Sequence, residues 1–207
     1  MEAALPEPIR GVIFDFGNVI YRFDNGRMLA GLSRLCGRPA EELAARLGAS
    51  TLSEDYESGR LDSRAFLAGV SELCGCPLEE SAFLPVFTDI FTPIESTLEL
   101  IRRLAPNYRL GLISNTNPWH FESTIRPCEV FPLFRAVTLS HEMKAMKPDP
   151  RLYLDCIRRL DLPAGACVFI DDRPEFVEGA ARIGMGGITY TGAESLRAAL
   201  EALGVRA

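Results

Sequence analysis

The stretch Gly11-Val12-Ile13-Phe14-Asp15-Phe16-Gly17-Asn18 decides the fold of this chain. Val12 to Phe14 is an apolar run that stops on a carboxylate, followed by Gly and Asn. That pattern predicts a buried parallel strand entering a tight loop with Asp15 at its tip. In open α/β sheets, ligands bind just outside the carboxyl ends of the strands. Asp15 therefore stands where chemistry is expected, although an Asp there can also simply cap a loop.

The pattern recurs three times. Arg109 to Ile113 runs into Ser114-Asn115-Thr116-Asn117. Ala136 to Leu139 runs into Ser140-His141 and then Lys147-Pro148-Asp149. Cys167 to Ile170 runs into Asp171-Asp172. Each run delivers a different group to a strand end: a nucleophilic carboxylate, a hydroxyl and amide, an ammonium, and a carboxylate pair. These groups meet only if the strands are parallel neighbours.

The four motifs in this order resemble those of the haloacid-dehalogenase-like hydrolase superfamily, over nearly the whole chain. Phe14-Asp15-Phe16-Gly17-Asn18-Val19 stands for the first motif and Ser114-Asn115-Thr116-Asn117 for the second. Lys147-Pro148-Asp149 stands for the third and Asp171-Asp172 for the fourth. With His120 three residues beyond Asn117, the set is most similar to bacterial sugar-phosphate phosphatases acting on glucose 1-phosphate.

The organisation follows from one anomaly. The first strand ends near Phe16, but the next begins only near Arg109. An ordinary crossover needs one helix. Here residues 21–95 intervene and read as entirely helical. Asp24 caps a helix closed by Gly37, and Pro39 opens a second that runs to near Gly48. Ser53 to Ser58 ends at Gly59, and Asp62 caps Ser63 to Cys74, closed by Gly75. The expected architecture is a doubly wound, mainly parallel α/β core of residues 1–20 and 96–207. A small helical cap, 21–95, is inserted after the first strand. The strand order is implied by the resemblance alone.

Bulk properties agree with a soluble enzyme. The 207 residues suffice for a core plus a small second unit, and 47% hydrophobic content argues against disorder. No apolar run approaches the ~20 residues of a membrane span. The acidic start, Met1 to Pro8, does not read as a secretory signal, so a cytoplasmic protein is expected. The net charge of -6 disfavours a nucleic-acid partner. Six cysteines are scattered through the sequence. Several of them sit in apolar surroundings, as reduced cysteines do, and Cys74-Gly75-Cys76, too tight for a redox or zinc pair, reads as structural. A monomer or homodimer acting on a small phosphorylated substrate is expected.

The resemblance implies the chemistry. An Asp carboxylate attacks phosphorus only when the phosphate charge is masked, which Mg²⁺ does with hard oxygen ligands. Asp15 is the expected nucleophile and a metal ligand. Asp172 and the Gly17 carbonyl are the other protein ligands, and Asp171 orients a metal-bound water. The Asp171-Asp172 pair has an alternative role as a cap for the helix at Pro174. Ser114 and Lys147 are expected to hold the phosphoryl oxygens. Lys144 competes with Lys147, but Pro148-Asp149-Pro150 pins Lys147 just before a helix start. Asn18, Asn115, His120 and Asp24 complete the expected substrate contacts. Asn117 has an obvious capping role before Pro118, and His120 faces either solvent or the pocket.

One departure matters. Most phosphatases of the superfamily carry a second Asp, as general acid and base, where this chain has Gly17. Such catalysis is worth ~10²–10⁴-fold, or roughly 3–5 kcal/mol. Without it, sugar 1-phosphates and activated esters should be cleaved well and primary-alcohol phosphates poorly, unless Asp24 or His120 supplies the proton. The expected activity is that of a Mg²⁺-dependent phosphatase. Three readings compete with it. A dehalogenase also lacks that Asp but has little use for Asp171-Asp172. A phosphomutase and a non-catalytic phospholigand-binding protein are the remaining two.

Overall fold

A computed structural model describes residues 7–206. Most of the acidic start therefore lies outside the described residues. Five strands form a parallel sheet: β1 (Gly11–Phe14), β4 (Arg109–Ser114), β5 (Phe134–Leu139), β6 (Cys167–Asp171) and β7 (Gly186–Thr189), in the order β5-β4-β1-β6-β7. The strand carrying Asp15 is central, and its neighbours are those carrying Ser114 and the Asp pair. The register pairs Phe14 with Leu112 on one side and Ile170 on the other. The carboxyl ends of β1, β4 and β6 are therefore level, which is what brings the motifs together.

The sheet is buried on both faces, so its strands read as continuous apolar runs. Val12, Phe14, Leu110, Leu112, Val168 and Ile170 face one core layer, which α6 (Glu95–Leu104) and α11 (Ala193–Ala202) cover through Leu98, Ile101, Leu196 and Leu200. Ile13, Ile113 and Phe169 face the opposite layer under α9 (Pro150–Leu160) and α10 (Pro174–Ala181). A fully buried side chain of this kind contributes about 1.5–3 kcal/mol. Gly111 lets α9 approach β4: a Cβ there would lie 2.8 Å from Cys156 Sγ. Asp149 caps α9 by accepting from the Arg151 amide, and Pro150 occupies its first turn.

The segment between β1 and β4 holds α1 (Asn25–Cys36), α2 (Ala40–Gly48), α3 (Leu52–Glu57), α4 (Ser63–Cys74) and α5 (Glu80–Thr88). The caps lie where the sequence puts them: Asp24 and Asp62 accept backbone N–H bonds at the starts of α1 and α4. Gly37 and Gly75 end these helices at φ 64° and 65°. The insert is not entirely helical, however. β2 (Tyr21–Phe23) and β3 (Phe91–Pro93) pair antiparallel where the chain leaves and re-enters the core. Three-residue strands carry too little alternation to be read locally, and their pairing joins residues some seventy positions apart.

The insert has its own core of Leu32, Leu43, Tyr56, Phe66, Val70, Phe83 and Phe87. The single tryptophan, Trp119, enters it from the short helix after β4, α7 (Pro118–His120), which continues as a π-helical turn over Phe121–Ile125. Its ring centroid lies 5.7–6.1 Å from those of Tyr56, Phe66, Phe83 and Phe87. The helix α8 (Ser140–Met143) packs beneath α3.

The cysteine expectation needs correction. Cys36 and Cys76 form a disulfide across 40 residues of sequence. The ends of α1 and α4 meet because both helices pack on α2, leaving the two Cα atoms 5.7 Å apart. Cys74, Cys128, Cys156 and Cys167 are free and buried, as expected.

Candidate active site

At the carboxyl ends of β1, β4 and β6 lies a cavity of about 460 Å³. Asp15, Gly17, Asn18, Ser114, Asn115, Lys147 and Asp172 line its floor. Its roof comes from the insert: Met28, Leu29, Leu47, Tyr56 and Phe87 are apolar, and Asn25, Ser53 and Glu57 are polar.

The floor is built around a buried ammonium. Lys147 Nζ lies 2.7 Å from Asp15 Oδ1 and 2.6 Å from Asp171 Oδ2. Burial opposes its charge, but the two carboxylates outweigh burial and raise its pKa. Burial raises the pKa of Asp15, with Lys147 opposing and Asp171 reinforcing the shift. Asp171 is raised for the same first reason, again against Lys147.

Each carboxylate has a distinct set of partners. Asp171 has both oxygens engaged, Oδ2 by Lys147 and Oδ1 by the Arg173 amide at 2.9 Å. It thereby holds the lysine and caps the turn before α10. Asp172 accepts from Asn18 Nδ2 at 3.1 Å. Asn18 reaches it from a left-handed backbone conformation, φ 56°, which Asn tolerates better than most residues. One oxygen atom from each of Asp15, Asp171 and Asp172 lies within 4.8 Å of the others. Three carboxylates around a single ammonium leave an excess of negative charge that suits a divalent cation with hard oxygen ligands. Gly17 lines the same cavity, and the amides of the turn, Ile20 and Tyr21, bond to the Phe16 carbonyl.

Four further expected residues have identifiable roles. Ser114, at the end of β4, is buried and lines the floor. Asn115 turns to the protein: Oδ1 accepts from the Lys147 N–H at 2.8 Å, and Nδ2 donates to its carbonyl at 3.4 Å. Asn117 caps α7, with Oδ1 accepting from the His120 N–H at 3.0 Å. Its Nδ2 then donates to His120 Nδ1 at 3.0 Å, which leaves Nε2 carrying the proton that goes to the Phe87 carbonyl at 3.1 Å. His120 is thus a neutral tautomer with both ring nitrogens engaged. Burial lowers its pKa to about 4. It stacks on Phe87 at 4.3 Å and lines the cavity with its ring, without a free nitrogen for a ligand.

Asp24 does not belong to the site. It is exposed, accepts from the Gly26 N–H at 2.8 Å, and is absent from the cavity wall. Lys144 is also no ligand of the floor: it is exposed, and its Nζ donates to the Gly59 carbonyl of the insert.

Two residues escaped sequence reasoning. Ser140 is fully buried; its Oγ accepts from the Thr116 N–H at 2.8 Å and lies 2.5 Å from the Glu57 carbonyl and 3.0 Å from the Thr116 carbonyl. Glu57 faces the cavity from the last position of α3. Burial, then the charge of Asp15, pushes its carboxyl up to about 7, with Lys147 opposing. A signal existed: a carboxylate in a helix's last turn has the wrong sign for the helix dipole.

Residues 9–184 match the model of the haloacid dehalogenase-like hydrolase family. The chain belongs to that family. A 59-residue segment is 46% identical to flavin mononucleotide hydrolase 1 of Arabidopsis thaliana, covering 28% of this chain and 24% of the plant protein. Over 186 residues the chain is 27% identical to phosphatase MT3486 of Mycobacterium tuberculosis, covering 86% and 85% of the two chains. Its fold is similar to that of the family enzyme bt-2542 from Bacteroides thetaiotaomicron, solved in complex with magnesium and inorganic phosphate. The TM-score is 0.79 at 21% identity, over 87% of this chain and 93% of that one.

Proposed function

We propose that this hydrolase is a Mg²⁺-dependent phosphatase of a small phosphorylated metabolite, acting through an aspartyl-phosphate on Asp15. The observation that carries the reading is the Asp15–Lys147–Asp171 arrangement with Asp172 alongside. A dehalogenase has no need of so many carboxylates; a phosphoryl-transfer site does. The phosphatase and the flavin mononucleotide hydrolase among its relatives, and the magnesium and phosphate bound by bt-2542, support the same class of chemistry.

Asp15, Asp172 and the Gly17 carbonyl would hold Mg²⁺, which when bound neutralises phosphate charge. Lys147 keeps Asp15 oriented and places a fixed positive charge where phosphoryl oxygens arrive. Asp171 and Asn115 hold Lys147 in turn, one by its ammonium and the other by its backbone. Ser114 supplies a hydroxyl donor to the phosphoryl group. Asp15 then attacks phosphorus in line, and water later releases phosphate.

The insert serves as a cap, residues 21–95 over a core of 1–20 and 96–207. Asn25, Ser53 and Glu57 are its polar groups within reach of substrate hydroxyls, and its apolar lining excludes water. A sugar 1-phosphate fits this reading, because the anomeric oxygen is the least basic leaving group among sugar hydroxyls.

A phosphate-release screen over phosphorylated metabolites, with Mg²⁺ and with chelator, tests the proposal. Release from at least one ester, lost in chelator and restored by Mg²⁺, is expected. Full turnover in excess chelator would reject it.

A further inference from the structure

The ester oxygen that leaves phosphorus needs a proton, and Gly17 supplies none. The position is also crowded: a Cβ there would lie 3.3 Å from Phe23 Cε1 and 3.4 Å from Cδ1. Asp24 lies outside the cavity, and His120 is neutral with both nitrogens engaged. Asp171 is held in place on both oxygens, by Lys147 Nζ and by the Arg173 amide. Asp15 is the nucleophile, and Asp172 belongs to the metal set. Among the acidic groups of the described residues that line the cavity, Glu57 alone is left uncommitted.

Its placement is fixed from the core. The Glu57 carbonyl sits 2.5 Å from Ser140 Oγ, which also receives the Thr116 N–H two residues beyond Ser114. Two residues on, the Gly59 carbonyl accepts from Lys144 Nζ. The end of α3 is thereby tied to the loop that holds the phosphoryl donors. Among the described residues the Glu57 carboxyl has no hydrogen bond, and its surroundings act on it through burial and charge alone. The charges that reach it are Asp15 and Lys147 from the floor and Glu54 from its own helix. Asp172, Arg173 and His120 share the cavity wall, His141 lies on α8 beneath, and Asp55 and Arg60 pair with each other.

We infer that Glu57 is the general acid and base of this hydrolase, taking the role that the residue at Gly17 cannot. The inference rests on the aspartyl-phosphate reading above. In the first step the Asp15 oxygen bonds to phosphorus while the bond from phosphorus to the ester oxygen breaks. That oxygen keeps the electron pair and takes the proton of the Glu57 carboxyl, so the alcohol leaves neutral. In the second step water bonds to phosphorus and gives a proton to the Glu57 carboxylate, while the bond from phosphorus to Asp15 breaks. Phosphate leaves, and both carboxyl groups return to their starting states. The substrate range then extends beyond sugar 1-phosphates to esters of primary alcohols, whose basic leaving oxygens need that proton most.

Two measurements test this. In the native enzyme, kcat/KM across aryl and primary alkyl phosphates should depend only weakly on leaving-group pKa. A steep decline would overturn the inference without any variant. Glu57→Gln should lose about 10²–10⁴-fold on a primary alkyl phosphate. On 4-nitrophenyl phosphate it should still give a rapid burst of one equivalent of nitrophenol, then turn over slowly because water activation is lost. Equal losses in the first-turnover rates of both esters, or a native rate on the alkyl ester, would overturn the role. Failure of the underlying reading looks different: Asp15→Asn would stay active, and Glu57→Gln would show no burst.

Discussion

Asn115 holds the backbone of Lys147 by both its polar atoms, the N–H at 2.8 Å and the carbonyl at 3.4 Å. The side chain that the family motif offers as a ligand contact is thus spent on fixing the lysine between Asp15 and Asp171. Asn115→Ala leaves the N–H of buried Lys147 without its partner, at a cost of about 1–3 kcal/mol. The expected result is a lower midpoint in urea together with a lower kcat, and a KM that moves less. Equilibrium unfolding and steady-state kinetics on the same preparation check it; a native kcat would show that Lys147 needs no such support.

Lys147 is itself the keystone of the floor. Lys147→Ala leaves Asp15 and Asp171 buried and unpaired, and breaking a buried pair in this way costs about 3–5 kcal/mol. The variant should be inactive and markedly less stable, and should recover stability at acidic pH, where both carboxyls are protonated. Denaturation midpoints from pH 4 to 8 would reveal that recovery, and a pH-independent loss would argue against it.

Glu57 carries a distinct pH signature. Its pKa is raised in the folded chain, to about 7 from an unfolded value near 4.5. Between those values the folded state binds more protons than the unfolded state, so this group's contribution to stability falls as pH rises. It is flat below about 4.5 and above about 7. His120, with its pKa lowered to about 4, acts in the opposite direction between about 4 and 6.5. The difference between Glu57→Gln and the native chain isolates the glutamate. In metal-free buffer the variant should gain stability relative to the native protein as pH rises through that window. A constant difference in melting temperature would contradict the shift.

Much of this was legible in the sequence because it is local. Strand ends at Asp15, Ser114 and Asp171, and helix caps at Asp24, Asp62, Asn117 and Asp149, depend on residues within a few positions of one another. What was not legible depends on distant partners. The β2–β3 pairing, the Cys36–Cys76 bridge and the clasp of Ser140 on Glu57 each join segments tens of residues apart. His120 shows the same limit: its position on the first turn was readable, but its tautomer depends on Asn117 and on Phe87, 33 residues away. Asp24 illustrates the opposite error, a capping residue credited with a second role.

Asp24 therefore supplies a control. Asp24→Ala removes the cap of α1 and should cost about 0.5–2 kcal/mol. Its kcat/KM should stay at the native value, because the side chain does not reach the cavity. Parallel melts and initial rates would settle this, and a catalytic defect larger than a few-fold would put Asp24 back in the site.

The most direct measurement is of phosphate on Asp15 itself. The enzyme is mixed with 4-nitrophenyl phosphate and Mg²⁺, quenched in acid within the first turnover, digested and sequenced by mass spectrometry. A phosphoryl group on the peptide bearing Asp15, absent in Asp15→Asn and absent when chelator replaces Mg²⁺, is the predicted result. Nitrophenol release at the native rate by Asp15→Asn, with no phosphoryl group on any carboxylate, would contradict it.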